Sequence, residues 1–154
     1  MLSSVNPPQS LRPRAWRLLM ETHAALFGRL VDELKAELGL PVTWYDVLLH
    51  LNEADSRRLR MRALADAVLL SKSGLTTVVD RMEEAGLVRR EAPPGDRRSI
   101  DVVLTDAGLE RFHEAAAVHR RGIDEHFCDH ITDDEAATLV AVLGRLRDAE
   151  ASPA

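Results

Sequence analysis

The chain has 154 residues, 45% of them hydrophobic and 29% charged, with a net charge of −5 and a single cysteine, Cys128. That length buries one core and reads as one domain, one cysteine excludes an intrachain disulfide, and no apolar run reaches the length of a membrane span. The opening residues MLSSVNPPQSLRPR lack the apolar centre of a secretory signal, so the expected location is the cytoplasm, with no membrane partner.

Residues 1 to 13, rich in proline and serine, read as a loose arm. From Arg14 the spacing of Trp16, Leu19, Met20, His23, Leu26, Phe27, Leu30, Val31, Leu34 and Leu38 predicts a long helix with one broad apolar stripe, closed by Gly39 and Pro41. Thr43 with Asp46 reads as a capping box, Asp standing in for the usual Glu or Gln, and opens a second helix through Trp44, Val47, Leu48 and Leu51. Asn52 to Arg58 is a polar connection, and Arg60 to Val68 a short third helix. Leu69 to Ser71 is a turn without the glycine such turns usually carry.

The next helix runs from Ser71 to Ala85, capped by the Ser71 hydroxyl and stopped by Gly86. Leu75, Val78, Val79 and Met82 recur at helical spacing and face a core; Lys72, Ser73, Thr76, Thr77, Asp80 and Glu84 fall on the other side. The first half of that outward face is nearly free of acid, and small hydroxyl side chains let a helix approach base edges in a major groove, with the threonine methyl free to meet a thymine methyl. A plain solvated face remains the competing reading of these residues alone. Leu87 to Ala92 and Ser99 to Leu104 follow as two short strands, with Ile100, Val102 and Leu104 on one face. Between them Pro93, Pro94, Gly95, Asp96, Arg97 and Arg98 make a protruding turn in which Asp96 pairs with Arg98 and Arg97 is left to reach phosphate or a narrow minor groove.

Thr105 caps a fifth helix carrying Leu109, Phe112, Ala116, His119, Ile123, Phe127 and Ile131, and Thr132 with Glu135 is a capping box for a sixth with Leu139, Val140, Leu143 and Leu146. The apolar stripes of the first and last two helices either pack against a second copy or fold back on their own chain; periodicity leaves both open. The fold class is mainly α with a small β-hairpin wing, a winged helix-turn-helix flanked by N- and C-terminal helices.

Charge is unevenly spread. Between Arg57 and Arg98 ten basic residues stand against six acids, so the rest of the chain carries all of the net negative charge. A basic segment in an acidic chain is the asymmetry of a protein with one surface for phosphate. No serine, histidine and acid cluster and no glycine-rich phosphate loop appears, so neither an enzyme nor a bound cofactor is expected. His119, His126 and His130 invite a metal reading at spacings of seven and four, but no cysteine pair supports it and no metal ligand is assigned. The acidic neighbours Asp124 and Asp129 should raise the pKa of Cys128 and quieten its thiol.

The segment Leu59 to Gly108, LRMRALADAVLLSKSGLTTVVDRMEEAGLVRREAPPGDRRSIDVVLTDAG, resembles the winged helix-turn-helix of the MarR family of bacterial transcription regulators. Leu64 and Ala65, the serine-rich entry at Ser71 and Ser73, the VDRMEEAGLVRR block, the DRR wing at Asp96 to Arg98 and LTDAG at Leu104 to Gly108 carry the resemblance. It implies a single MarR-type domain over 1–154, with 12–42 and 105–150 as dimerisation helices and 43–104 as the DNA-binding lobe. It further implies a homodimer on a pseudo-palindromic operator, acting as a repressor. Lys72, Ser73, Thr76 and Thr77 would read bases; Ser71, Arg81 and Arg97 would hold phosphate or minor groove, and Asp96 would orient Arg98. A small aromatic or phenolic effector would release the DNA, with Trp16, Met20, His23, Trp44, Asp46 and His113 able to line its cleft. Zinc-sensing relatives would need a partner for His113 at position 117, which is alanine here, and thiol-sensing relatives a cysteine in the first helix, which is absent. The competing readings are a metal-responsive regulator using His126 and His130, and a winged helix that binds protein and has lost DNA.

Overall fold

The computed structural model describes residues 10–93, 95 and 99–151. Six helices and three short strands follow one another as α1 (Leu11–Leu38), α2 (Val42–Glu53), β1 (Arg58–Arg60), α3 (Met61–Ala67), α4 (Lys72–Glu84), β2 (Val88–Glu91), β3 (Asp101–Leu104), α5 (Asp106–His126) and α6 (Asp133–Ala151). The chain divides into two compact units, one of residues 29–120 and one of residues 10–28 with 121–151.

Within the unit 29–120 a single core is built from Leu34, Val47, Leu48, Leu51, Leu64, Leu75, Val79, Met82, Val88, Val102 and Phe112. α4 contributes Leu75, Val79 and Met82, four and three residues apart, as its helical pattern dictates. Its end is a Schellman closure: Leu87 N–H returns to the Met82 carbonyl at 2.9 Å and Gly86 N–H to Glu83 at 2.9 Å, with Gly86 at φ +75° where a side chain is disfavoured. The end of α3 makes the same 6→1 bond, Leu70 N–H to the Ala65 carbonyl at 3.1 Å, but places Leu69 at φ +55° and 91% exposed. The missing glycine of that turn is therefore replaced by a leucine in the left-handed region.

The sheet has three strands, not the two of the hairpin alone, in the antiparallel order β1-β3-β2. β1 pairs Leu59 with Val102 and Arg60 with Asp101, and β2 pairs Arg90 with Val102 and Glu91 with Asp101. β1 escapes sequence inspection because three residues with one leucine between two arginines carry no alternation to detect. β3 is buried along its whole length, whereas Ile100 lies just outside it, exposed, its carbonyl accepting from Met61 N–H at 3.0 Å.

Three helix limits differ from expectation. α1 begins at Leu11 rather than Arg14, because Pro13 falls in the first turn, where a missing N–H costs nothing. The capping box at Thr43 and Asp46 does not form: Pro41 is the N-cap of α2, and its carbonyl takes the Trp44 and Tyr45 N–H groups at 2.9 and 3.2 Å. α5 stops at His126, and Phe127, at φ −130° and ψ −59°, leads into a 3₁₀ turn over Cys128–His130. His130 thus does not follow His126 by one turn on a common helix face, so the helical spacing on which that metal reading rested does not hold. The Thr132 box does form, with Thr132 N–H donating to Glu135 Oε2 at 2.9 Å.

In the unit of residues 10–28 and 121–151 no hydrophobic side chain is buried among the described residues. Trp16 is 64% and Val140 74% exposed, and Phe27, Leu143 and Leu146 are also open. No helix among the described residues is long and apolar enough to cross a membrane.

Candidate nucleic-acid interface

Ser71 opens α4 by accepting from Gly74 N–H at 3.1 Å, and its hydroxyl lies 3.3 Å from that of Ser73. The cap fixes where the outward face begins: Lys72, Ser73, Thr76, Thr77 and Arg81 are all exposed along one side of the helix. Thr76 donates to the Lys72 carbonyl at 2.9 Å and Thr77 to that of Ser73 at 3.2 Å. Each hydroxyl proton is thus spent along the helix, and what a base edge would meet is an oxygen with free lone pairs and a methyl group. That combination suits an exocyclic amine or a thymine methyl.

Beside this face lies a cleft of about 440 Å³ lined by Arg60, Arg62, Lys72, Thr76, Arg90 and Ile100. Arg60 and Arg62 come from β1 and the start of α3, and sequence reasoning did not single them out. Their only earlier signal was membership of the basic segment; the pairing of β1 with β3 brings them beside α4, where they line the cleft with Lys72 and Thr76.

Other basic residues of that segment are internally engaged. Arg58 bonds Glu91 at 3.0 Å and stands 3.8 Å from the buried Asp101, and Arg89 bonds Glu91 at 2.6 Å. Arg89's hydrogen bond, with the charges of Arg89 and Arg58, holds the Glu91 carboxyl below its ordinary range against partial desolvation. Arg90 reaches Asp80 and Glu83 at 2.6 Å each. Among the described residues, three cations of the basic segment are therefore neutralised at home, and those with no acidic partner there are Arg57, Arg60, Arg62, Lys72 and Arg81, of which Arg60, Arg62 and Lys72 line the cleft beside α4. Asp96, Arg97 and Arg98 lie outside the described residues.

The six residues assigned to an effector fall in two groups. Trp16, Met20 and His23 belong to the unit of residues 10–28 and 121–151, exposed, with His23 stacked on Phe27 at 6.0 Å. Trp44, Asp46 and His113 belong to the unit 29–120, the first two half-buried and His113 exposed. Burial pushes the Asp46 carboxyl above its ordinary range, while the charges of His50 and His119 pull it back. His119, expected on the apolar stripe of the fifth helix, joins them: its ring lies 5.0 Å from Tyr45, and its Nδ1 is buried without a hydrogen-bond partner among the described residues. Its position seven residues after Phe112, two turns along one face, was the available signal. Cys128 is exposed, and partial desolvation with the charge and hydrogen bond of Asp124 and the charge of Asp129 raises its thiol pKa.

A sequence model described as MarR family matches residues 38–99. AbsC, a MarR family transcriptional regulator from Streptomyces coelicolor, is 35% identical, with 88% of this chain and 91% of that one aligned and a TM-score of 0.78. Sco3205, a MarR family regulator from the same organism solved in complex with DNA, is 31% identical over 89% of this chain and 86% of its own, also with a TM-score of 0.78. MdtR of Bacillus subtilis strain 168, an HTH-type transcriptional repressor, is 28% identical over 81% of each chain. With a capped α4 presenting its polar face beside a three-stranded wing sheet, and with relatives of this identity and coverage, the chain belongs to the MarR family of transcriptional regulators.

Proposed function

We propose that this regulator is a homodimeric repressor that binds a pseudo-palindromic duplex operator through α4 and the wing, and is released by a small aromatic or phenolic effector. The observation that carries the reading is the acid-free first half of α4, capped by Ser71, with Lys72, Arg60 and Arg62 around Thr76. Lys72, Ser73, Thr76 and Thr77 read bases. Ser71, Arg81, Arg60 and Arg62 hold the phosphates that set the register, and Arg97 keeps the phosphate or minor-groove role that the wing's composition gives it. The relative solved with DNA and the relative named a repressor support the direction of the assignment.

The exposed apolar side chains of residues 10–28 and 121–151, which a second copy would cover, support the dimer. A two-fold dimer sets its recognition helices about 34–36 Å apart along the duplex, one helical turn. Trp16, Met20, His23, Trp44, Asp46 and His113 are the proposed effector contacts, and the effector acts only through its preference for a DNA-incompetent dimer.

Selection from a pool of randomised duplexes tests the reading. The expected outcome is enrichment of one pseudo-palindromic sequence whose preference relaxes at single base steps, by about 1–3 kcal/mol, in Thr76→Ala and Thr77→Ala. A pool that shows no enrichment at low salt contradicts it.

A further inference from the structure

Arg90 occupies an unusual place for a basic residue of a DNA-facing segment. By strand alternation it shares a face with the buried Val88, and its own side chain is only 23% exposed. A guanidinium there loses hydration, and it persists because its fork is satisfied. One nitrogen donates to Glu83 Oε2 at 2.6 Å, and the other to Asp80 Oδ1 at 2.6 Å and, at 3.4 Å, to the Thr76 carbonyl. The Arg90 backbone N–H also donates to Glu83 Oε1 at 2.8 Å. A single side chain from β2 thereby grips α4 at Thr76, Asp80 and Glu83, about 10 Å of helix at 1.5 Å per residue.

The group as a whole cannot attract phosphate, since one cation is held between two carboxylates. What it does constrain is the roll of α4 about its own axis. Side-chain tips lie about 6 Å from a helix axis, so a roll of about 10° moves a base-reading atom by about 1 Å. That shift is larger than the whole spread of good donor–acceptor distances. The core residues Leu75, Val79 and Met82, about a quarter-turn round the helix from Thr76, Asp80 and Glu83, are held through apolar contacts, which are not directional. Directional bonds are on the Arg90 side, and they include the carbonyl of a base-reading residue.

We propose that Arg90 is a positioning residue for DNA reading: by bridging Asp80 and Glu83 it fixes the roll of α4 against the hairpin, so that discrimination among sequences depends on it rather than attraction to phosphate. This rests on the assignment of α4 as the base-reading helix. Glu83→Gln separates the two effects, because it removes a negative charge beside the duplex and loosens the bridge in the same step. Charge alone would tighten every complex; loss of positioning weakens the specific one.

The experiment measures affinity for the duplex recovered by selection and for a random duplex of equal length, across salt, for wild type, Glu83→Gln, Asp80→Asn, Arg90→Gln and Arg90→Lys. The expected result is that Glu83→Gln and Asp80→Asn bind random duplex at least as tightly as wild type but discriminate about ten-fold less, the worth of one well-placed base contact. General destabilisation would weaken both complexes and cannot produce that pair of signs. Arg90→Gln and Arg90→Lys lose the same discrimination, with the salt slope on random duplex unchanged. If both Arg90 variants fail to fold, the two carboxylate variants decide alone. Undiminished discrimination in the carboxylate variants overturns the proposal, as does a slope flatter by about one unit in Arg90→Gln, the mark of a lost phosphate contact. A wild type that does not discriminate overturns the base-reading assignment and this proposal with it; a wild type that does, beside carboxylate variants that do so equally, overturns this proposal alone.

Discussion

Single residues explain why short stretches of this sequence are so constrained. Gly108, inside the LTDAG segment, has no room for a side chain: a Cβ there would sit 2.0 Å from the Leu87 carbonyl oxygen and 2.8 Å from Leu104 Cδ1. The neighbouring Thr105 ties the start of α5 to the same place, donating to the Gly86 carbonyl at 2.7 Å while accepting from Gly108 N–H at 3.0 Å. Gly108→Ala must push backbone away from backbone, and the expected loss is about 1–3 kcal/mol or more, read as a lower urea midpoint at unchanged slope. An unchanged midpoint would show that the close approach relaxes freely. His119 gives a pH-dependent counterpart. Burial holds its imidazole pKa below the ordinary 6.5, only partly offset by the charge of Asp46. The unfolded chain then takes up a proton at this position before the folded chain does, so its contribution is complete above pH 6.5 and is lost as pH falls from there through the folded pKa. Stability measured at pH 7.5 and 5.5 should drop more in wild type than in His119→Gln; parallel drops would contradict the assignment.

At the scale of elements, what was legible in the sequence was whatever a local rule governs. The Ser71 cap, the Gly86 stop and the Thr132–Glu135 box all form, because each depends on residues within five positions of one another. Thr43 and Asp46 have the same spacing as the Thr132 box and form nothing, since Pro41 already supplies the acceptor for the first free N–H groups. Thr132→Ala should therefore cost about 1 kcal/mol while Thr43→Ala costs a few tenths at most, compared by thermal or urea unfolding of the two variants. Equal losses would mean that the cap geometry is irrelevant to α6. The strand β1 was not legible, because its partner lies more than forty residues away and three residues carry no period. The candidate site shared that fate in part: the α4 face followed from helical spacing, but Arg60 and Arg62 join it only through that long-range pairing, and the pairing of Arg90 with two acids of α4 turned a counted charge into an internal bond.

For the whole molecule, two surfaces account for the proposed function. The exposed apolar side chains of residues 10–28 and 121–151 are the proposed face for a second copy. Placing a charge among them, as in Leu146→Lys, should shift sedimentation from dimer to monomer and weaken the selected operator more than a random duplex, since one head alone forfeits the paired half-sites. A Leu146→Lys protein that sediments like wild type would move the interface elsewhere. The other surface is cationic in spite of the chain's net charge of −5. Its working charges are those not held by acids, so the attraction to DNA is local and screened within about 8–10 Å at ordinary salt.

The most direct test of the central claim, that α4 and its neighbouring cations grip duplex DNA, is the affinity for the selected duplex measured as a function of salt. The account expects log affinity to fall linearly with log salt with a slope of about −3.6 or steeper, since two heads each place at least two cations on phosphate at roughly 0.9 per contact. A flat line, or no complex even at low salt, would contradict it.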